Sequence, residues 1–193
     1  KSGDKTATCT VTVSEDAPAV IEDTLEGNIT ADRTISAANK NFLKGFVYVK
    51  SGATLTIEAG SVIKGISVAS GERAASLIIE PGAKIIAEGT VDKPIVFTSD
   101  KEPGKRVTGD WGGLIICGNA RVNRTNQPTI EGGPGTHYGN TTSDEFNGES
   151  SGKLKYVRIE FAGYPLEPDK EINGLTFGGV GSGTEVEFVQ VSY

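Results

Sequence analysis

The chain has 193 residues, with 19 Lys plus Arg against 25 Asp plus Glu and a net charge of −6. That length suits one domain, or one domain with a fragment of a second. Gly occurs 26 times, about double ordinary usage, and the hydrophobic share of 36 % is below the globular average. No apolar run is long enough to span a bilayer, and the acidic balance with scattered Lys and Arg argues against a nucleic-acid surface. The sequence contains no Met and opens without a basic-then-apolar leader, so it is expected to be processed or cut from something longer.

The first predicted element is a strand over Thr6 to Val13, where small or apolar residues alternate with Thr. An acidic, Pro-containing stretch from Ser14 to Ala19 follows and reads as a linker. Gly3 to Val13 resembles the last strand of bacterial immunoglobulin-like domains of the group 2 type. Residues 1–20 are therefore expected to be the end of such a domain plus its linker, and residues 21–193 a second unit. Of the two cysteines, Cys117 lies in the apolar run Leu114-Ile115-Ile116-Cys117 and reads as a small buried hydrophobe, with no disulfide to Cys9 expected.

Internal similarity dominates the rest. Ala53 to Ile63 reads again 22 positions later as Ala75 to Ile85, with Leu55, Ile57, Gly60 and Ile63 mapping onto Leu77, Ile79, Gly82 and Ile85. A weaker copy 37 positions beyond maps Leu77, Ile79, Ala83 and Ile85 onto Leu114, Ile116, Ala120 and Val122. Downstream, Leu154 to Phe161 aligns with Val186 to Tyr193 at an offset of 32, and every apolar position matches an apolar one. Both copies break alternation at the same place, Tyr156-Val157 and Phe188-Val189, which predicts a shared corner or bulge.

Such periods suit a solenoid. Val, Ile, Thr and Gly at period 2 exclude helical repeats, and the Leu-x-x-Leu-x-Leu frame of leucine-rich repeats is missing. The expected fold is all-β, a right-handed parallel β-helix in which each coil buries its inward residues against its neighbours. An antiparallel β-sandwich is the alternative, weakened by the whole-coil repeats and the lack of tight hairpin turns.

Several motifs then fall in order: Leu25-Glu26-Gly27-Asn28-Ile29-Thr30, Gly52 to Gly60, Pro94 to Ser99, Gly109-Asp110-Trp111-Gly112-Gly113, Tyr156 to Gly163, and Asn173 to Phe177. Together, over roughly residues 24 to 193, they resemble the secreted or surface-exposed right-handed parallel β-helix proteins of Bacteroidetes. The resemblance implies an extracellular or outer-surface location on a Gram-negative bacterium. It carries no agreed enzymatic activity. It also implies that the chain is a piece of a longer β-helix, since it stops inside a repeat at Tyr193.

Candidate site residues are few. The only histidine, His137, sits in a Gly- and Pro-rich loop that is a poor platform for a triad or a zinc site, so it reads as an exposed loop residue. Asp144, Glu145 and Glu149, near Asn140 and Asn147, read first as solvated loop acids and second as oxygen ligands for Ca²⁺, although their spacing is not that of an EF-hand. Carboxylates at Asp110, Asp144 or Glu145 would serve a polysaccharide-degrading enzyme, but no paired motif marks one. Gly178 to Gly183 precedes a strand and not a helix, so it reads as a corner and not a phosphate loop. Trp111, with Tyr138 and Tyr164, is a candidate for stacking on sugar rings; a Trp between glycines also suits a packing wedge. Asp23-Thr24-Leu25 resembles the O-glycosylation acceptor of Bacteroidetes, which marks Thr24. Three Asn-x-Thr sequons, at Asn28, Asn123 and Asn140, are not expected to be used.

The expected role is a non-enzymatic surface or secreted scaffold for adhesion or glycan contact, its partners being host or microbial glycans or matrix proteins. A carbohydrate-active enzyme using groove carboxylates and a purely structural stalk are the alternatives. No cofactor beyond Ca²⁺ is implied. The uncapped coil at Val186 to Tyr193 is expected to be covered by a second copy or by further coils.

Overall fold

The computed structural model describes residues 19–69, 74–131, 135–167 and 170–193. The immunoglobulin-like strand and linker expected before residue 19, and Cys9, lie outside the described residues.

Among the described residues fourteen strands are formed, and twelve of them share one continuous parallel sheet that winds round the molecule. They are β1 (Glu22–Ile29), β2 (Arg33–Ile35), β3 (Lys40–Val49), β4 (Thr54–Ile57), β5 (Val62–Gly65), β6 (Ser76–Ile79), β7 (Lys84–Glu88), β8 (Ile95–Ser99), β9 (Gly113–Cys117), β10 (Gly152–Glu160), β11 (Pro165–Glu167), β12 (Lys170–Glu171), β13 (Leu175–Gly178) and β14 (Glu185–Ser192). Every pairing in the large sheet is parallel, and the small β11–β12 pair is antiparallel. Parallel strands joined by right-handed crossovers make a right-handed parallel β-helix.

Each coil has three faces. The first runs through the start of β1, the start of β3, then β5, β8, and the ends of β10 and β14. The second runs through the end of β1, the end of β3, then β6, β9 and β13. The third runs through β2, β4, β7 and the starts of β10 and β14. The corners that β1, β3, β10 and β14 turn in mid-strand need left-handed backbone. Gly27 and Gly45 supply it in the first two coils, and Tyr156 and Phe188, at φ 48° and 53°, supply it in the last two. The break in alternation shared by those two aromatics is therefore the corner expected from the sequence.

Inward side chains stack in columns. On the second face Val47, Leu77, Leu114 and Leu175 lie over one another. On the third, Ile35, Ile57, Ala87, Leu154 and Val186 do so. Apart from Val186, which is exposed at the last coil, and Leu175, which packs against the rest, these residues fill a single apolar interior that includes Leu55, Phe97 and Trp111. Removing water from such aligned aliphatic rows stabilises each coil through its neighbours, at roughly 25 cal/mol per Å² of apolar surface.

The stacking register departs from the expected one in a specific way. Leu55 and Leu77 occupy the same core but are not partners: Leu55 lies on Ile85, and Leu77 on Val47. The similarity at 22 residues relates the third face of one coil to the second face of the next. The offsets of 37, for Leu77 on Leu114 and Ile79 on Ile116, and of 32, for Leu154 on Val186 and Ile159 on Val191, are true coil-to-coil registers. The 37-residue match does not extend to Ile85, which pairs with Gly152.

Long excursions leave the column at two corners. Of the described residues, 66–69, 74–75, 100–112, 161–167 and 170–174 depart between the first and second faces, and 118–131 and 135–151 depart between the second and third. Ile130 and Ile172, from two of these, cover an outer apolar cluster of Phe46, Ile78, Ile115 and Cys117. At β6 and β9 the second face is thus buried on both sides, as the unbroken apolar run Leu114-Ile115-Ile116-Cys117 requires.

Candidate functional site

The residues expected to contact sugars are placed in three different settings. Trp111 is fully buried: its ring stacks on Phe97 with centroids 6.4 Å apart, and its Nε1 donates to the Glu160 carbonyl at 2.8 Å. Gly65 makes room for it, since a Cβ there would come within 2.6 Å of the Trp111 Cβ. The indole is a packing wedge, and sugar stacking on its face is corrected by its burial. Tyr164 is also buried, and its hydroxyl donates to the Ala69 carbonyl at 3.3 Å, tying two excursions together. Tyr138 is half-buried and packs on the outer cluster of the second face, over Gly178.

The carboxylates proposed for calcium do not converge. Asp144 accepts from Arg121 at 3.1 Å and from the Asn147 amide at 3.0 Å, Glu149 takes the backbone N–H of Asn119, and Glu145 is exposed. Among the described residues no group of three His, Cys, Asp or Glu side chains is placed to hold a metal ion. The calcium expectation is corrected accordingly: Asp144 and Glu149 are engaged in holding the loop. Nor do the carboxylates considered for hydrolysis meet, because Asp110 belongs to the 100–112 excursion and Asp144 and Glu145 to the 118–151 excursion. His137 is exposed and bridges Thr129. Thr24 is exposed, but on β1 within the first coil and not in a linker.

Asp110 is the most tightly engaged acid. Its side chain is 1 % exposed; Lys101 Nζ lies 2.6 Å from one oxygen, while the Ser99 hydroxyl at 2.7 Å and the Val107 N–H at 3.0 Å donate to the other. Burial pushes its carboxyl upward, but these donors and the Lys101 charge outweigh burial and hold it below the usual carboxylate value. This arrangement pins the 100–112 excursion, and with it Trp111.

A polar concave surface is built by the 118–151 excursion, which the sequence left without periodicity. Its base is short backbone pairing: Arg121 bridges Asn140, the Val122 N–H donates to the Asn140 carbonyl at 2.8 Å, and the Asn140 N–H donates to the Ala120 carbonyl at 3.0 Å. Side chains complete it. Asn140 Oδ1 accepts from the N–H groups of Thr142 and Ser143 at 2.9 and 3.1 Å, and Asn147 Oδ1 accepts from the Arg121 N–H at 2.8 Å. Two adjoining hollows result, of about 590 Å³ and about 290 Å³, and both are lined by Thr141. The larger presents Arg121, Asn123, Arg124, Thr125, Asp144 and Asn147, and the smaller presents Asn119, Gln127 and Asn140. Two guanidinium groups, several amides and hydroxyls can each donate or accept to a ligand rich in hydroxyl groups. Sequence reasoning missed the Arg residues and Gln127; the only signal was the density of Asn, Thr and Arg between two predicted strands.

The pectate-lyase-like β-helix domain model matches residues 27–193. No curated protein and no solved structure matches the sequence. The match spans every coil from the first corner to the last residue, and on that extent the chain belongs to the pectate-lyase-like β-helix domain family.

Proposed function

We propose that the protein is a surface-exposed or secreted scaffold that contacts glycans, and that the hollow of the 118–151 excursion is where it does so. The observation that carries this reading is the lining itself. Arg121, Asn123, Arg124, Thr125 and Thr141 offer a dense set of polar groups over a volume of about 590 Å³. The hollow stands on a column whose stacked rows are rigid, and a fixed platform reduces the ordering cost of binding. The family adds support, because it is defined by likeness to a polysaccharide-degrading enzyme.

The test is a glycan-array screen of the chain, followed by calorimetry on any hit with the wild type and with Arg124→Ala and Thr125→Ala. Arg124 and Thr125 are exposed, so their loss leaves the coils intact. A hit weakened about tenfold or more by these substitutions supports the reading. An array with no hit, or a hit indifferent to both substitutions, overturns it.

A polysaccharide-cleaving role is the second reading, and the family match is what favours it. Release of reducing ends or unsaturated sugars from a polysaccharide panel would promote it.

A further inference from the structure

The two hollows of the 118–151 excursion share Thr141 but differ in charge. In the larger, the Arg121 guanidinium lies 3.1 and 3.3 Å from the two oxygens of Asp144, so those two charges match each other. Arg124 lines the same hollow and is exposed, and among the described residues it has neither an ion pair nor a hydrogen bond. The larger hollow therefore carries one cation in excess. The smaller is lined by Asn119, Gln127, Gly139 and Asn140 beside Thr141, with no charged residue in its lining. An acid does reach this wall, because Glu149 Oε1 accepts the backbone N–H of Asn119.

This difference selects among glycans. A guanidinium holds a carboxylate through parallel N–H donors, and one without an acid of its own gains most from an acid that the ligand brings. In the smaller hollow an acid would find amides but no cation, and the Glu149 carboxylate across Asn119 would repel it. Amides both donate and accept, which suits the hydroxyl groups of a neutral sugar. Gln127 Nε2 donates to the Gly139 carbonyl at 3.0 Å, which fixes that side chain and leaves its Oε1 as an acceptor. Among the described residues no aromatic ring lines either hollow, so these polar groups and not ring stacking would carry recognition. The two volumes, about 590 and about 290 Å³, meet at Thr141, and a chain of sugars spanning them sets its rings in unlike surroundings.

Resting on the reading of this hollow as the glycan contact, we propose that it takes a mixed oligosaccharide with a single acidic sugar. The carboxylate of that sugar meets Arg124 in the larger hollow, and a neutral sugar meets Asn119 and Gln127 in the smaller. A glycan with an acid on every ring is disfavoured, because one of the two hollows has no cation to receive it.

The test is an array of neutral oligosaccharides, oligosaccharides with one terminal sialic or uronic acid, and oligogalacturonates, probed with the 193-residue chain. The singly acidic glycans are the expected hits. Calorimetry then compares the tightest of them with its carboxyl-reduced form, in which the carboxylate has become a hydroxymethyl group, on the wild type and on Arg124→Gln. Reduction should weaken binding to the wild type about tenfold, and Arg124→Gln should weaken the acidic form by about as much. The reduced form should bind wild type and variant equally. The wild-type comparison stands by itself even if the variant fails to fold. Hits confined to neutral glycans, or oligogalacturonates that bind as tightly, overturn the proposal and leave the glycan-contact reading in place. An Arg124→Gln loss of equal size with and without the carboxylate does the same. An array with no hit overturns both.

Discussion

Tyr156 and Phe188 stack face to face across successive coils, with ring centroids 4.6 Å apart and planes 8° from parallel, and both hold left-handed backbone. Phe161 and Tyr193 repeat the relationship at the next corner, with centroids 4.7 Å apart and φ of 58° and 72°. These four are the non-glycine residues with positive φ among the described residues. A side chain in that region costs about 1–2 kcal/mol, and an aromatic stack returns about 0.5–1.5 kcal/mol beyond burial. The two nearly cancel, so the ladder fixes the register of the corners at little net cost.

The balance gives an unusual ordering for two substitutions at Tyr156. Tyr156→Ala loses the stack and keeps the strained backbone, while Tyr156→Gly loses the stack and relieves it. Glycine costs roughly 0.5–1 kcal/mol in unfolded-chain entropy, less than the strain it removes. Urea denaturation should therefore find Tyr156→Gly more stable than Tyr156→Ala, by up to about 1 kcal/mol. The reverse order would show that the corner is unstrained.

Gly152 is where the long excursion rejoins the column, at φ 125° and lying on Ile85. A Cβ at this position would fall 1.8 Å from the Ile85 carbonyl oxygen, which is backbone and cannot swing away. Gly152→Ala should destabilise by roughly 2–4 kcal/mol. Thermal melts of the variant and of Gly148→Ala, where a Cβ meets nothing, make the comparison. Equal melting temperatures would refute the close approach.

What the sequence reveals, and what it hides, follows from how coils are built. All three faces carry the same in–out alternation, so any two of them look alike. Leu55 and Leu77 matched because a third face resembled a second face. The inward row Asp23, Asn41, Ile63, Phe97, Ile159 and Val191 shows coil lengths of 18, 22, 34, 62 and 32 residues. Excursions of such different length erase a fixed period, and a true coil-to-coil offset stays visible only between particular strands, from β6 to β9 and from β10 to β14. The parallel fold was legible because columns need aliphatic residues in every coil. The hollow was not, because Arg121, Asn140 and Asn147 meet through turns whose side-chain to backbone bonds leave no periodic trace. Trp111 flanked by glycines was compatible with either surface or core, and the space opposite, at Gly65, decided it.

Cys117 offers a probe of the outer cluster. Its thiol is fully buried, and burial, helped by the Glu80 charge, pushes its pKa up to about 12. The thiolate is the reactive form, so at pH 8 about one part in ten thousand is available. The peptide containing Cys117 should remain unalkylated by iodoacetamide in the native protein and react fully in guanidinium chloride. Rapid native labelling would mean that the excursions carrying Ile130 and Ile172 do not cover the second face.

Asp110 links charge to the position of the single Trp. Its folded-state carboxyl sits below the ordinary value, because the donors from Lys101, Ser99 and Val107 outweigh the upward push of burial. A depressed carboxyl contributes its full stability above the unfolded value, about 3.9, and loses it as pH falls through the folded value. The contribution is therefore complete at pH 7 and declines below about pH 4. Trp111 adjoins Asp110 and is fully buried, so its emission should be blue-shifted at neutral pH and move to the red as acid releases the 100–112 excursion. Asp110→Asn keeps the shape but removes the charge that Lys101 faces, and should cost about 1.5–3 kcal/mol at pH 7. The variant should also lose the part of the acid transition that Asp110 drives, so its stability depends less on pH below about 4. If wild type and Asp110→Asn share one acid midpoint by Trp111 emission, the excursion is pinned by something other than this carboxylate.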